Sequence, residues 1–370
     1  MGDQSIGART ASAGTSGTVT DIWLRTLGPK GRAPNANLLH VGVGTKRLLR
    51  LLDEIETSFG TRLPIGAALK LGTIEALAHA LQTGRWPGPS PLVLLKDGSD
   101  DHPPLHFIAG AWGIILETCS LAAATDYPGK IWGLQPPGFD GDAPTFNSVQ
   151  DMAAHYVEHL TVSSGVPVNV IGFSFGGLVA LEMARIIRQQ NRKLGLIGLI
   201  DTPIAERQWP LATRAYYLWE RSKTRLQFLF DVHRERRMDA IHNILRPLRN
   251  RVLGMFINRP AFASAYQPDL DVRLKAVLDR IIVANENYAP RPMDFPVVLF
   301  KSKREAGDLV DVADTWRRMI RQLKIVEVEG RHGNMIRPPL VFGLAAAVTA
   351  QLKDTLAEVA ADSFARATSI

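Results

Sequence analysis

The sequence predicts a doubly wound α/β domain behind a small helical unit. Three observations carry this. From about Leu92 onward, short apolar runs alternate with amphipathic helical patterns, the rhythm of a parallel sheet covered on both faces. Before Leu92 there are helical stripes and no strand-like run. Between the two lies Trp86-Pro-Gly-Pro-Ser-Pro91, where proline and glycine break any regular element.

Taken in order, residues 1–17 are rich in Ser, Gly, Thr and Ala and read as a flexible tail. Residues 18–86 read as the helical unit. Ile22, Trp23 and Leu27 share one helical face, and Leu48, Leu49, Leu51, Leu52 and Ile55 form a second stripe. Thr73 is placed to cap a helix carrying Ile74, Leu77 and Leu81. Residues 87–100 read as a linker and 101–355 as the main α/β domain, although the first strand candidate, Pro91–Leu95, already falls in the linker. The further strand candidates are Leu105–Ile108, Lys130–Leu134, Val168–Ile171, Leu196–Ile200, Val297–Phe300 and Ile325–Val328. Helical patterns at Val149–Leu160, Leu178–Arg188 and Val312–Leu323 lie between them. Residues 205–288 break the rhythm with Arg- and aromatic-rich helical segments, which reads as an inserted helical lid. Residues 356–370 read as a C-terminal tail.

Composition narrows the function classes. At 370 residues, 46% hydrophobic and 21% charged, the chain is globular and long enough for two domains. One cysteine, Cys119, excludes an internal disulfide and a cysteine metal cluster; its apolar surroundings predict a buried, inert thiol. The net charge is +7, and residues 205–260 carry all of it, with twelve Arg and Lys against five Asp and Glu. A basic excess confined to one insert is not a general nucleic-acid surface. It could dock a phosphate or an acidic partner. The N-terminus lacks a secretory h-region, Ile6 breaks the myristoylation pattern, and no apolar run reaches the ~18 residues of a membrane span. The expectation is a cytoplasmic protein without nucleic-acid or membrane partners.

Gly172-Phe-Ser-Phe-Gly176 carries the chemistry. It sits between a β-branched run and a helical one and matches G-x-S-x-G. In such a strand-to-helix turn the serine stands in a strained conformation above the sheet, and side chains at the flanking glycines would clash. A serine nucleophile needs a base, and the base an orienting acid. In α/β-hydrolase folds these follow in the order Ser, Asp/Glu, His, each at a strand end. Downstream of Ser174, Asp201 ends one strand candidate and His332 follows the last. Asp308, after the Val297–Phe300 run, is the alternative acid. The oxyanion donors are expected from the backbone N–H of Phe175 and one from Ala109-Gly-Ala-Trp-Gly113, with Ala111 and Trp112 as candidates. His155 and His159 stand i,i+4, a spacing metals use, but without HExxH or cysteine; a solvated helix face is expected, and no metal site.

From about residue 18 to 355 the sequence resembles the C-terminal carrier–thioesterase didomain of nonribosomal peptide and polyketide synthases. The carrying segments are Ile131-Trp-Gly-Leu-Gln-Pro-Pro-Gly138, Gly172-Phe-Ser-Phe-Gly-Gly177, Leu199-Ile-Asp-Thr-Pro203 and Gly330-Arg-His-Gly-Asn-Met-Ile336, followed by Pro338. The resemblance implies an α/β-hydrolase fold with a helical lid, and Ser174, Asp201 and His332 as the triad. It implies a serine thioesterase that releases an acyl, peptidyl or polyketide chain from phosphopantetheine through an acyl-serine, by hydrolysis or cyclisation. Partners would be acyl- or peptidyl-carrier proteins or upstream synthase modules. A general carboxylic esterase and a non-catalytic carrier-docking module are the alternatives.

Two departures stand out. The family's oxyanion loop carries His-Pro-x-Gly-Gly where this chain has Ala109-Gly-Ala-Trp-Gly113. Counting back from Phe59-Gly60, similar to the family's Phe-Gly, puts Thr45 at the place of the serine that bears phosphopantetheine. The flanking acid is Gly44, and residues 18–86 hold nine basic against five acidic residues, where carrier helices are usually acidic. The domain is therefore expected to be unloaded at Thr45 and to serve in docking or support, with the arm on a donor carrier. Catalysis itself is expected to need no cofactor.

Overall fold

Trp23 organises the N-terminal unit. It is fully buried, and its indole Nε1 donates to the Gly31 carbonyl at 3.1 Å. The computed structural model describes residues 4–33, 35–111, 114–139, 146–205, 272–303 and 311–367, with isolated positions 209, 211, 215 and 219. Four helices build the unit: α1 (Gln4–Leu27), α2 (Thr45–Phe59), α3 (Ile65–Leu71) and α4 (Ile74–Thr83). Each expected apolar stripe faces inward. Ile22, Leu27, Leu48, Leu51, Leu52, Ile55 and Leu77 are buried together. Thr73 caps α4 by accepting from the Ala76 N–H at 3.3 Å, and Gly60 closes α2 in the left-handed conformation, φ 65°.

The stretch read as a flexible tail is helical from Gln4. It has no proline, and the Thr18 and Thr20 hydroxyls turn back onto the carbonyls of Gly14 and Ser16, at 3.0 and 2.8 Å. Two hydroxyls just beyond that stretch are thus satisfied inside the helix.

The second unit is one seven-stranded sheet in the order β1-β3-β2-β4-β5-β6-β7. The strands are β1 (Leu92–Lys96), β2 (Leu105–Ile108), β3 (Ile131–Leu134), β4 (Val168–Phe173), β5 (Leu194–Ile200), β6 (Val297–Ser302) and β7 (Leu323–Val328). β1 runs antiparallel to β3; all other pairs are parallel. Every residue of β2 and β4 is buried, as strands covered on both faces require. The covering helices are α5 (Leu116–Ala124), α6 (Val149–Glu158), α7 (Phe175–Gln189), α8 (Val272–Asn287), α9 (Val312–Arg317) and α10 (Val341–Ala367). This is the α/β-hydrolase arrangement. Among the described residues no helix is long and apolar enough to cross a membrane.

Three boundaries differ from expectation. β1 lies inside the segment read as linker, because the apolar run Leu92–Leu95 pairs with β3. α9 stops at Arg317, since Leu323 already opens β7. Residues 356–367 continue α10 rather than forming a tail; buried Leu352 and partly buried Leu356 extend its apolar stripe. Of the expected lid, α8 is described, with Leu274, Val277, Ile281 and Ala284 buried. Most of residues 205–271, including the basic stretch, lies outside the described residues.

The helical unit covers the sheet's first edge. His40 Nε2 meets the Leu95 carbonyl at 3.1 Å, Lys70 Nζ donates to the Gly88 carbonyl at 3.0 Å, and the Gly66 N–H reaches the Phe139 carbonyl at 3.3 Å. A free edge strand invites pairing with other chains, and here it is capped from within.

Candidate active site

The site lies at the carboxyl ends of the parallel strands, where open α/β sheets place their ligands. Ser174 follows β4, Asp201 follows β5, and His332 follows β7. Main-chain bonds step across the ends: Ser174 N–H donates to the Ile200 carbonyl at 2.8 Å, and Asp201 N–H to the Phe300 carbonyl at 2.9 Å.

Ser174 has φ 51° and ψ −121°, a strained conformation for a non-glycine residue. The glycines around it are required by contact. A Cβ on Gly172 would come within 2.1 Å of the Gly176 backbone carbonyl. One on Gly176 would meet the Ala109 carbonyl oxygen at 2.5 Å, and one on Gly177 the Thr202 hydroxyl at 1.9 Å. The turn is therefore pressed against both the loop after β2 and the loop after β5. Gly172→Ala should shift this turn, lowering stability by ~1–3 kcal/mol and turnover by at least ~100-fold. Thermal denaturation and steady-state rates measure the two effects; a variant with normal turnover would show that the turn is not confined in this way.

Asp201 also has positive φ, 45°, and is buried. Its Oδ2 accepts from His332 Nδ1 at 2.9 Å. Its Oδ1 accepts from the Ser302 N–H at 3.2 Å and the Ser302 hydroxyl at 3.0 Å. Burial pushes this carboxyl up, but the hydrogen bonds from His332 and Ser302 outweigh it and hold the group below its ordinary value. The residue is thus ionised at neutral pH, and its charge orients the imidazole. The ring of His332 stacks on Phe173, centroids 5.2 Å apart and planes 24° apart. Its loop is shaped by Gly330, at φ 108°, and by Asn334, whose Oδ1 accepts the Arg331 N–H at 2.7 Å. Fully buried Met335 anchors it. The other face of His332 is open, the side chain being 48% exposed.

Phe175 opens α7, so its N–H is one of those a helix leaves without an internal partner. Ala111 lies in the turn after β2. Trp112 and the alternative acid Asp308 lie outside the described residues. Thr45 is the first residue of α2, half-buried, after Gly44 at the cap. Cys119 is buried, and burial pushes its thiol up to about 12. The His155 and His159 rings lie 4.4 Å apart, tilted by 49°, and His159 Nδ1 bonds the His155 carbonyl at 2.8 Å. Among the described residues no cluster of three His, Cys, Asp or Glu side chains could hold a metal.

Three site residues were not singled out in the sequence: Phe173, Ser302 and Glu117. Phe173 occupies a variable place of G-x-S-x-G. Ser302 ends β6, next to the strand that carries Asp201, and only the strand order reveals the pairing. Glu117 is one residue into α5 and looked like an ordinary acidic first turn.

Fold and site together define an α/β-hydrolase-fold protein with a serine on its strand-to-helix turn. The chain belongs to the thioesterase domain family, whose model matches residues 118–337. Residues 17–81 match the phosphopantetheine attachment site family, which counts against the expectation of an unloaded carrier domain. Similar proteins include the dimodular nonribosomal peptide synthase of Bacillus subtilis (strain 168), 30% identical over 156 residues, covering 41% of this chain and 6% of that protein. The nonribosomal peptide synthetase acyN of Ascocoryne sarcoides is 25% identical over 346 residues, 86% of this chain and 36% of that protein. A crystal structure of holo-AB3403, a four-domain nonribosomal peptide synthetase bound to AMP and glycine, shares the fold with TM-score 0.52 and 20% identity, over 90% of this chain and 26% of that one. The chain thus spans a minor part of the length of these relatives.

Proposed function

We propose that the protein is a serine thioesterase that releases an acyl, peptidyl or polyketide chain from a phosphopantetheine carrier. The observation that carries this is the Asp201–His332 hydrogen bond beside the strained Ser174 turn, in a thioesterase-family domain joined to a carrier-family domain.

In this reading Ser174 Oγ attacks the thioester carbonyl. His332 takes the hydroxyl proton at Nε2, because the ionised Asp201 accepts the proton at Nδ1. The negative charge that forms on the carbonyl oxygen is met by the Phe175 N–H and by an N–H of the loop after β2, at Ala111 or Trp112. The carbon–sulfur bond breaks, and His332 returns the proton to the departing pantetheine thiol. Water or a nucleophile of the chain itself, deprotonated by His332, then attacks the acyl-Ser174 ester; the acyl–Oγ bond breaks, and His332 hands that proton to Ser174 Oγ. Quenching early after mixing with an acyl-pantetheine thioester should leave the acyl mass on the peptide containing Ser174. The same mass on another residue would contradict the mechanism.

The acyl group is delivered, in this reading, by a carrier of an upstream synthase module. The attachment-family match puts a carrier domain in the chain, and Thr45 is the hydroxyl at the head of α2. The threonine methyl crowds the oxygen, and Lys46 and Arg47 replace the usual acidic surface. Treatment with a phosphopantetheinyl transferase and coenzyme A should therefore leave the intact mass unchanged. Gain of one arm that disappears in Thr45→Ala would show that the domain is loaded.

A further inference from the structure

Glu117 has no part in the mechanism above, yet it lies directly against it. Both carboxylate oxygens are buried without a hydrogen-bond partner of ordinary geometry among the described residues, yet the Gly110 backbone lies close enough to draw the carboxyl down. A Cβ placed on Gly110 would stand 2.9 Å from Glu117 Oε2 and 3.0 Å from Phe173 Cδ1. The space on the side-chain side of Gly110 is thus filled by this carboxyl and by the ring that stacks on His332. An apolar side chain would fill such a place without the desolvation that a carboxyl suffers.

We propose that Glu117 is a positioning residue: its carboxyl packs against Gly110 and, through its polar contact with that backbone, holds the Gly110–Ala111 segment and so sets the loop's distance from Ser174. The inference rests on the acyl-serine reading, since it is the developing oxyanion that the loop would serve. The electrostatics agree. Burial pushes the carboxyl up to about 7, drawn down in part by the Gly110 backbone and by the charges of Arg337 and His332. Lysines on elements packed against α5 are engaged elsewhere, Lys96 with the Thr125 carbonyl and Lys353 with Asp126. A neutral, hydrogen-bonding group of this shape is then compatible with the site below neutrality, which is what glutamine supplies.

The test compares wild type, Ser174→Ala, Glu117→Gln, Glu117→Ala and Glu117→Met on an acyl-pantetheine thioester, slightly below neutral pH. Rates are normalised to the folded fraction from near-ultraviolet dichroism. Alanine removes the support, and methionine keeps the bulk without polar atoms, so the comparison survives if alanine folds poorly. Both should lower kcat by ~10- to 100-fold with KM nearly unchanged, and glutamine should restore most of the loss. Alanine and methionine variants with wild-type kcat, or a change in KM alone, would overturn the role of Glu117 while leaving the acyl-serine reading intact. Turnover that survives Ser174→Ala would overturn that reading and this inference with it.

Discussion

Ser174→Ala should lower thioester turnover by ~10⁴- to 10⁶-fold, and adding His332→Ala should lower it little further. The strained turn around Ser174 raises its Oγ above the strand ends, and alanine keeps the same backbone without the hydroxyl. In the proposed mechanism, serine and histidine act on one proton. Once the nucleophile is gone, the base has nothing to accept, and the two losses do not add. What remains would come from the backbone donors and binding alone. A single mutant within about tenfold of wild type, or losses that add fully, would contradict a shared proton transfer.

Asp201→Asn should be nearly as damaging, with a loss of ~10⁴-fold in kcat at neutral pH and little change in fold. Ser302 decides this outcome. Its N–H and hydroxyl both point at Oδ1, at 3.2 and 3.0 Å, so the carboxamide oxygen of an asparagine would settle there. The amide NH₂ then faces His332, now as a donor where Oδ2 had accepted. Nδ1 must become the acceptor, and the ring proton moves to Nε2, the atom that should receive the serine proton. Adding Ser302→Ala to the Asp201→Asn variant removes the hydroxyl but leaves the main-chain N–H of residue 302 donating to the same atom, so it should recover little of the loss. A near-normal rate in Asp201→Asn would mean that the Asp201–His332 bond does not set the tautomer.

Much of this was legible before the structure. All seven strand candidates are strands, because a parallel sheet buried on both faces demands continuous apolar runs that stand out from helices. The helical unit was legible because Leu48, Leu51, Leu52 and Ile55 repeat at helical spacing. The approach of Asp201 to His332, 131 residues apart, was legible only through chain order and strand ends. What the sequence hid were contacts made by topology alone. Nothing in it pairs Ser302 with Asp201, Phe173 with His332, or Glu117 with Gly110, since each pair comes from different elements. Composition misled at residues 4–17, where small polar residues suggested coil and the chain is helical. At Leu92–Lys96 the strand itself was legible, and only the linker boundary was drawn past it.

The most direct test of the central claim is thiol release from acyl-pantetheine thioesters, set beside the matching oxygen esters, for wild type and Ser174→Ala. The thioesterase reading predicts thioester cleavage that exceeds ester cleavage and vanishes in the mutant. Faster cleavage of the oxygen esters would contradict it in favour of a general esterase, and thioester cleavage that persists without Ser174 would remove the acyl-serine altogether.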